Sequence, residues 1–201
     1  MQSLEERTTN RLEAMPLGWY AAYTRHQHEK SSTHLLEQKG LEVFLPLYHA
    51  VHRWKDRRQV VVLPVFPCYV FVRTDLESRL KILHTPGICQ LVGVAGRPSR
   101  IPDYQIESIR TLVQSPASFE PHPYLKRGDR VYVRGGPLAG IEGILTRFKN
   151  EYRVVLSVDL LQRSVAAEVD MENVERVLGG GAAIPGAIAA PGGTVGNSLH
   201  N

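Results

Sequence analysis

Residues 60–72 read VVVLPVFPCYVFV, and this stretch decides how the rest of the chain is read. It is the longest apolar run in the sequence and is rich in β-branched and aromatic residues, which marks it as strand. Pro64 and Pro67 interrupt it. Proline cannot donate to a ladder, so the segment is expected at an edge, at a bulge or at a strand entry. Phe66, Tyr69 and Phe71 then fall near a place where pairing stops. Two readings follow: a core strand with an awkward start, or an apolar docking surface.

Upstream, GWYAAYT (18–24) reads as a short strand. Thr24 with Gln27 makes a capping box, predicting a helix that runs to Lys39 with Gly40 at the C′ position. Its apolar face is narrow, Leu35 and Leu36, and the rest is polar, with Arg25, His26, His28, Lys30 and His34. On a helix His26 and His28 point to nearly opposite faces, and His28 to His34 is not an i,i+4 pair. No metal site is expected from these histidines; a basic face turned to solvent or nucleic acid accounts for them better. LEVFLPLYHAVHRW (41–54) is extended and the 60–72 run returns beside it. The intervening tip carries Arg53, Trp54, Lys55, Arg57 and Arg58. It reads either as a solvated turn or as an arm in which cations meet phosphates and the indole stacks on a base.

Downstream, Thr74 with Glu77 forms a second capping box, and Leu76, Leu80 and Leu83 give a core-facing stripe before Pro86-Gly87. ICQLVGV (88–94) is a further strand, and Asp103 is expected to cap a third helix with Ile106, Ile109 and Val113 facing the core. The order implies an α+β sandwich with a mostly antiparallel sheet. SPASFEPHP (115–123) reads as a semi-stiff linker. Beyond it, short strands separated by glycines suggest a small all-β barrel that folds alone, with YRVVLSV (152–158) strongly β-prone. The expected division is a patternless leader 1–17, a first domain 18–114, a linker 115–123, a second domain 124–178 and a low-complexity Gly/Ala/Pro tail 179–201. On this reading the two domains tumble separately.

A hydrophobic fraction of 43% over 201 residues is enough for real cores. No apolar run approaches a membrane-spanning length, and a cytoplasmic, monomeric protein is expected. Cys68 and Cys89 form no CxxC pair, so neither zinc nor a disulfide framework is indicated. The net charge is +4, but residues 18–114 carry a balance of +5 and residues 124–178 only +1, so the excess sits in the first domain. There is no GxSxG, Walker loop or GxGxxG fingerprint, and no enzyme or cofactor is expected.

FPCYVFV (66–72) resembles the FPGYVFV signature of the NusG family of transcription elongation factors, and more particularly its RfaH-like and UpxY-like antiterminators. Cys68 stands where that family usually has Gly or Asn. Val131, Val133, Gly136, Pro137, Leu138, Gly140, Gly143 and Ile144 similarly match a KOW motif. The resemblance implies a NusG amino-terminal (NGN) sandwich followed by an SH3-like KOW barrel. It further implies a non-catalytic antitermination role in which Tyr23, Phe66, Tyr69, Phe71 and Leu91 line a concavity for the clamp helices of RNA polymerase's largest subunit. Arg25 matches a basic position facing non-template DNA; with His28, Lys30 and the hairpin cations it forms the expected contact to DNA or nascent RNA. The loop Leu160, Leu161, Gln162 and Arg163 matches the barrel surface for Rho or a small-subunit ribosomal protein. The alternative is a KOW-type RNA-binding or ribosome-associated protein, from which the FPCYVFV-bearing first domain distinguishes this chain.

Overall fold

The computed structural model describes residues 17–53, 58–75, 77–125, 127–148 and 151–177, and in it the 60–72 run is two strands, not one. Strand β4 (Arg58–Pro64) pairs antiparallel with β3 (Leu47–Arg53) as a separate two-stranded hairpin. The chain then turns through residues 65–68 and enters β5 (Tyr69–Thr74). Both prolines sit where ladder donors are not needed: Pro64 closes β4 and Pro67 lies in the turn.

Strand β5 lies inside a four-stranded antiparallel sheet with β1 (Gly18–Thr24), β2 (Glu42–Phe44) and β6 (Ile88–Leu91), in the order β2-β5-β1-β6. Alternation along β1 and β5 separates two faces. One face sends Ala22, Val70 and Val72 onto Leu36 and Ile82. The other sends Trp19, Ala21 and Phe71 into a cluster with Ile106, Ile109 and Leu112. Helices cover both faces, which is the expected sandwich. Arg110 adds a cation over Trp19 and Phe44, at 5.6 and 5.1 Å from the ring centroids.

The helices begin elsewhere than the capping patterns suggest. Helix α1 is Glu29–Gln38 with His28 at the N-cap and no side-chain cap bond. Thr24 is still in β1, donating its N–H to the Cys68 carbonyl at 2.9 Å, and Gln27 has φ 63°. Strand pairing therefore wins the residue that the capping box would have used. Gly40 does take the left-handed C′ position, φ 77°, and donates to the Glu37 carbonyl at 2.9 Å. Helix α2 is only Arg79–Leu83, and the Asp75 carboxylate, not Thr74, accepts a bond from the Ser78 N–H at 3.0 Å. Of the expected stripe, Leu80 is 62% exposed, and Ile82 is buried instead; Leu76 lies outside the described residues. Helix α3 is Asp103–Gln114 with Pro102 at its N-cap; Asp103, inside the first turn, takes both oxygens to Arg100 at 3.0 Å. Leu112 is buried, Val113 only partly.

The second unit is a six-stranded antiparallel sheet: β9 (Phe119–His122), β10 (Asp129–Val133), β11 (Glu142–Phe148), β12 (Glu151–Val158), β13 (Arg163–Glu168) and β14 (Val174–Arg176), in the order β14-β10-β11-β12-β13-β9. The β-prone YRVVLSV is β12. Part of the stretch expected to be patternless linker is strand: β9 runs antiparallel to β13, with Glu120 on Arg153 and Pro121 at a sheet edge. Gly143 is required by packing, since a Cβ there would lie 2.7 Å from the Val155 carbonyl oxygen. No helix among the described residues is long and apolar enough to cross a membrane.

Candidate functional site

The turn at residues 65–68 and the start of β5 bring the aromatic residues together. Tyr23 and Tyr69 are direct partners across β1 and β5, their rings edge-on with centroids 5.5 Å apart. Phe66 meets Phe71 edge-on at 5.8 Å, and Phe44 stacks on Phe71 at 6.1 Å. Tyr23 is 37% exposed and Tyr69 half-buried, whereas Phe66 and Phe71 are 2% and 0% exposed. The surface thus presents two tyrosines backed by two phenylalanines. Leu91 is not part of it. Opposite Ala22, it packs with the Leu36 and Ile82 cluster on the other face of the sheet. Its neighbour Val92 and the β2 residue Phe44 pack against the aromatic side instead, positions that sequence alone had not singled out.

The aromatic side does not stand alone. Its apolar cluster continues without a break into Val131, Val133, Leu156, Val158 and Leu161 of the second unit. Asp159 links the two units through one oxygen, which accepts from Gln105 Nε2 of α3 at 3.2 Å; its other oxygen accepts from the Tyr124 hydroxyl at 3.0 Å within the second unit. Tyr48 of β3 packs on Phe119 of β9, centroids 6.2 Å apart. The two units are therefore docked, contrary to the expectation that they move independently. The loop expected to meet a partner is turned inward: Leu161 is 6% exposed and Leu160 is partly buried against the shared cluster, while Arg163 stays exposed.

The basic residues fall in two places. Arg25, His28 and Lys30 are exposed around the start of α1. Lys30 reaches the hairpin, donating to the Val62 carbonyl at 2.9 Å, so the two basic segments are physically joined. Arg53 and Arg58 are the last facing pair of the hairpin ladder; Trp54, Lys55 and Arg57 lie outside the described residues.

At the corner between these surfaces, Cys68 occupies the left-handed region at φ 67°. Its N–H donates to Glu29 Oε1 at 2.8 Å, and its Sγ lies 3.9 Å from His26 Nδ1. Burial pushes the thiol's pKa up, the Glu29 charge adds to that, and the Arg163 guanidinium opposes both. Thr24, bonded to Cys68 through the backbone, carries a buried hydroxyl with no hydrogen-bond partner among the described residues.

A family model described as "Transcription termination factor nusG" matches residues 17–110. The chain is 23% identical over 175 residues to the transcription termination/antitermination protein NusG of Helicobacter pylori strain J99, covering 81% of this chain and 99% of that protein. It is 24% identical over 184 residues to the NusG of Borreliella burgdorferi, covering 81% and 100%. Among solved structures, one described as domain interaction in Thermotoga maritima NusG covers 82% of this chain and 99% of its own, at 20% identity and a TM-score of 0.49.

Proposed function

The chain belongs to the NusG family of transcription termination and antitermination factors, with an NGN-like sandwich followed by a strand-rich, KOW-like region, and from that premise we propose that it docks on the clamp helices of RNA polymerase through Tyr23, Tyr69, Phe66 and Phe71. The observation that carries this reading is the aromatic pairing across β1 and β5, which leaves Tyr23 and Tyr69 open on a rigid sheet while Phe66 and Phe71 back them. Aromatic anchors held by a scaffold lose little entropy on binding and supply most of the energy when a helix enters an apolar groove. The family match over residues 17–110 favours this reading over a KOW-type RNA-binding protein, because it falls on the first segment.

Docking acts without chemistry: bridging the polymerase cleft suppresses pausing and termination, on particular operons rather than on all transcripts. The basic set Arg25, His28 and Lys30, joined through Lys30 to the hairpin, contacts non-template DNA or nascent RNA beside the docked face. Leu160, Leu161 and Arg163 form the second partner surface, for Rho or a small-subunit ribosomal protein, once the second unit swings away. The segments 18–114 and 124–178 act as the two working domains. Equilibrium binding of the full chain to core RNA polymerase is the test. Tyr69→Ala should weaken it by about 1–3 kcal/mol. Equal affinity for Tyr69→Ala and wild type would remove the aromatic face from the interface.

A further inference from the structure

We propose that His26, Glu29 and Cys68 form a binding site for a borderline transition-metal cation of the zinc class. Each offers one ligand atom, an imidazole nitrogen, a carboxylate oxygen and a thiol sulfur, and these atoms all lie within 4.8 Å of one another. The three residues come from the turn after β1, the first residue of α1 and the turn before β5. Helical spacing compares only His26, His28 and His34 with one another, though His26 precedes α1 and His28 sits at its N-cap. What it cannot register is a tertiary contact that hands His26 to a cysteine forty-two positions further on.

Geometry fits the smaller tetrahedral cations. Zinc–sulfur and zinc–nitrogen distances of about 2.3 and 2.0 Å at a tetrahedral angle place sulfur and nitrogen roughly 3.6 Å apart. Here Cys68 Sγ and His26 Nδ1 are 3.9 Å apart, so closing the site needs a shift of a few tenths of an ångström by the exposed His26. Glu29 is already held: it is 4% exposed, and its Oε1 accepts the Cys68 N–H at 2.8 Å. A ligating carboxylate oriented by an outer hydrogen bond is the usual support of a metal site. The backbone contributes as well, since the left-handed conformation of Cys68 is one that Gly adopts freely and a cysteine does not. Buried Glu29, half-buried Cys68 and exposed His26 make a site closed on one side and open to solvent on the other. Sulfur with imidazole selects zinc, cobalt or copper over magnesium or calcium, whose preference is for oxygen alone. Coordination takes the thiolate, its proton passes to solvent, and no electron changes hands. The bound cation would pin the Phe66–Tyr69 turn to the start of α1.

The experiment uses the full chain, reduced and stripped of metal, titrated with zinc against a chromophoric chelator and separately with cobalt. One equivalent of zinc is expected, together with a near-ultraviolet thiolate-to-cobalt charge-transfer band. Cys68→Gly suits the left-handed turn, so it tests the ligand without endangering the fold; it should abolish the band and weaken zinc binding roughly 100-fold or more, at least matching the loss from removing an outer-shell partner. His26→Gln and Glu29→Gln should each weaken binding at least about 10-fold, and Cys89→Ser should leave it unchanged. Absence of stoichiometric zinc binding overturns the proposal. So does binding that survives Cys68→Gly, or that fails in Cys89→Ser, because either outcome moves the metal to other ligands.

Discussion

Ala95 adopts φ 50° and Gly96 φ 76° between the two-residue strands β7 (Gly93–Val94) and β8 (Arg97–Pro98). Two positive φ values in a two-residue connection are the signature of a type I′ turn, which Asn-Gly fills best and in which alanine is strained. Ala95 is exposed, so the strain is not offset by burial. Ala95→Asn is therefore expected to raise stability by about 0.5–1 kcal/mol, measured as a higher midpoint in urea at unchanged slope. A midpoint that stays put would mean that this turn opens before the rest of the domain. Gln27, Cys68 and Gln162 are the other described non-glycine residues at positive φ; at Cys68 the N–H and sulfur both have partners, so its strain sits where neighbouring groups hold it.

At the scale of elements, whatever depends on neighbours in sequence was legible: the β1 strand, the glycine at the end of α1, the buried face of α3 and the short strands after residue 128. The helix starts were not. A capping box names residues that could cap, yet Thr24 is consumed by pairing in β1, and Asp75 displaces Thr74 as the group that turns the chain. Leu91 was misassigned for a related reason. A one-residue step along a strand reverses the face, and only the register Ala22↔Leu91 fixes which face that is. The β3–β4 hairpin is the element on which nucleic-acid contact depends. Replacing Arg57 and Arg58 together with alanine should flatten the salt dependence of binding to single-stranded nucleic acid by roughly one to two units, as expected when two phosphate contacts are lost. An unchanged slope would make the tip a solvated turn, and Lys30 merely its brace.

The whole molecule differs most from what sequence suggests, because domain docking is written in no local pattern. Gln105 and Asp159 are unremarkable alone; together they bridge one unit to the other, with Tyr124 holding Asp159 from within the second unit. Wild type should tumble with a single NMR correlation time, and Asp159→Ala, which removes the acceptor of the Gln105 bond, should split it in two. A pH rise should act within the second unit, lowering its stability. Burial and the bond to Asp159 raise the Tyr124 pKa above its ordinary value of 10. The folded state therefore keeps the phenolic proton more firmly than the unfolded chain. Its contribution is complete below pH 10 and falls away as pH climbs through the raised value, when a phenolate faces a carboxylate. If Asp159→Ala tumbles as one body, the apolar cluster alone holds the units together.

The pairing of β9 with β13 also sets how far the molecule can come apart. Only Ser115, Pro116, Ala117 and Ser118 separate the end of α3 from the start of β9. Fully drawn out, the five steps from Gln114 to Phe119 span at most about 18 Å. An undocked second unit is thus leashed within one domain radius of the face it left, at an effective concentration in the millimolar range. Any outside protein seeking the inward-turned Leu160–Leu161 loop competes with a rival that never diffuses away, so its apparent affinity reports the strength of that internal contact as much as its own fit.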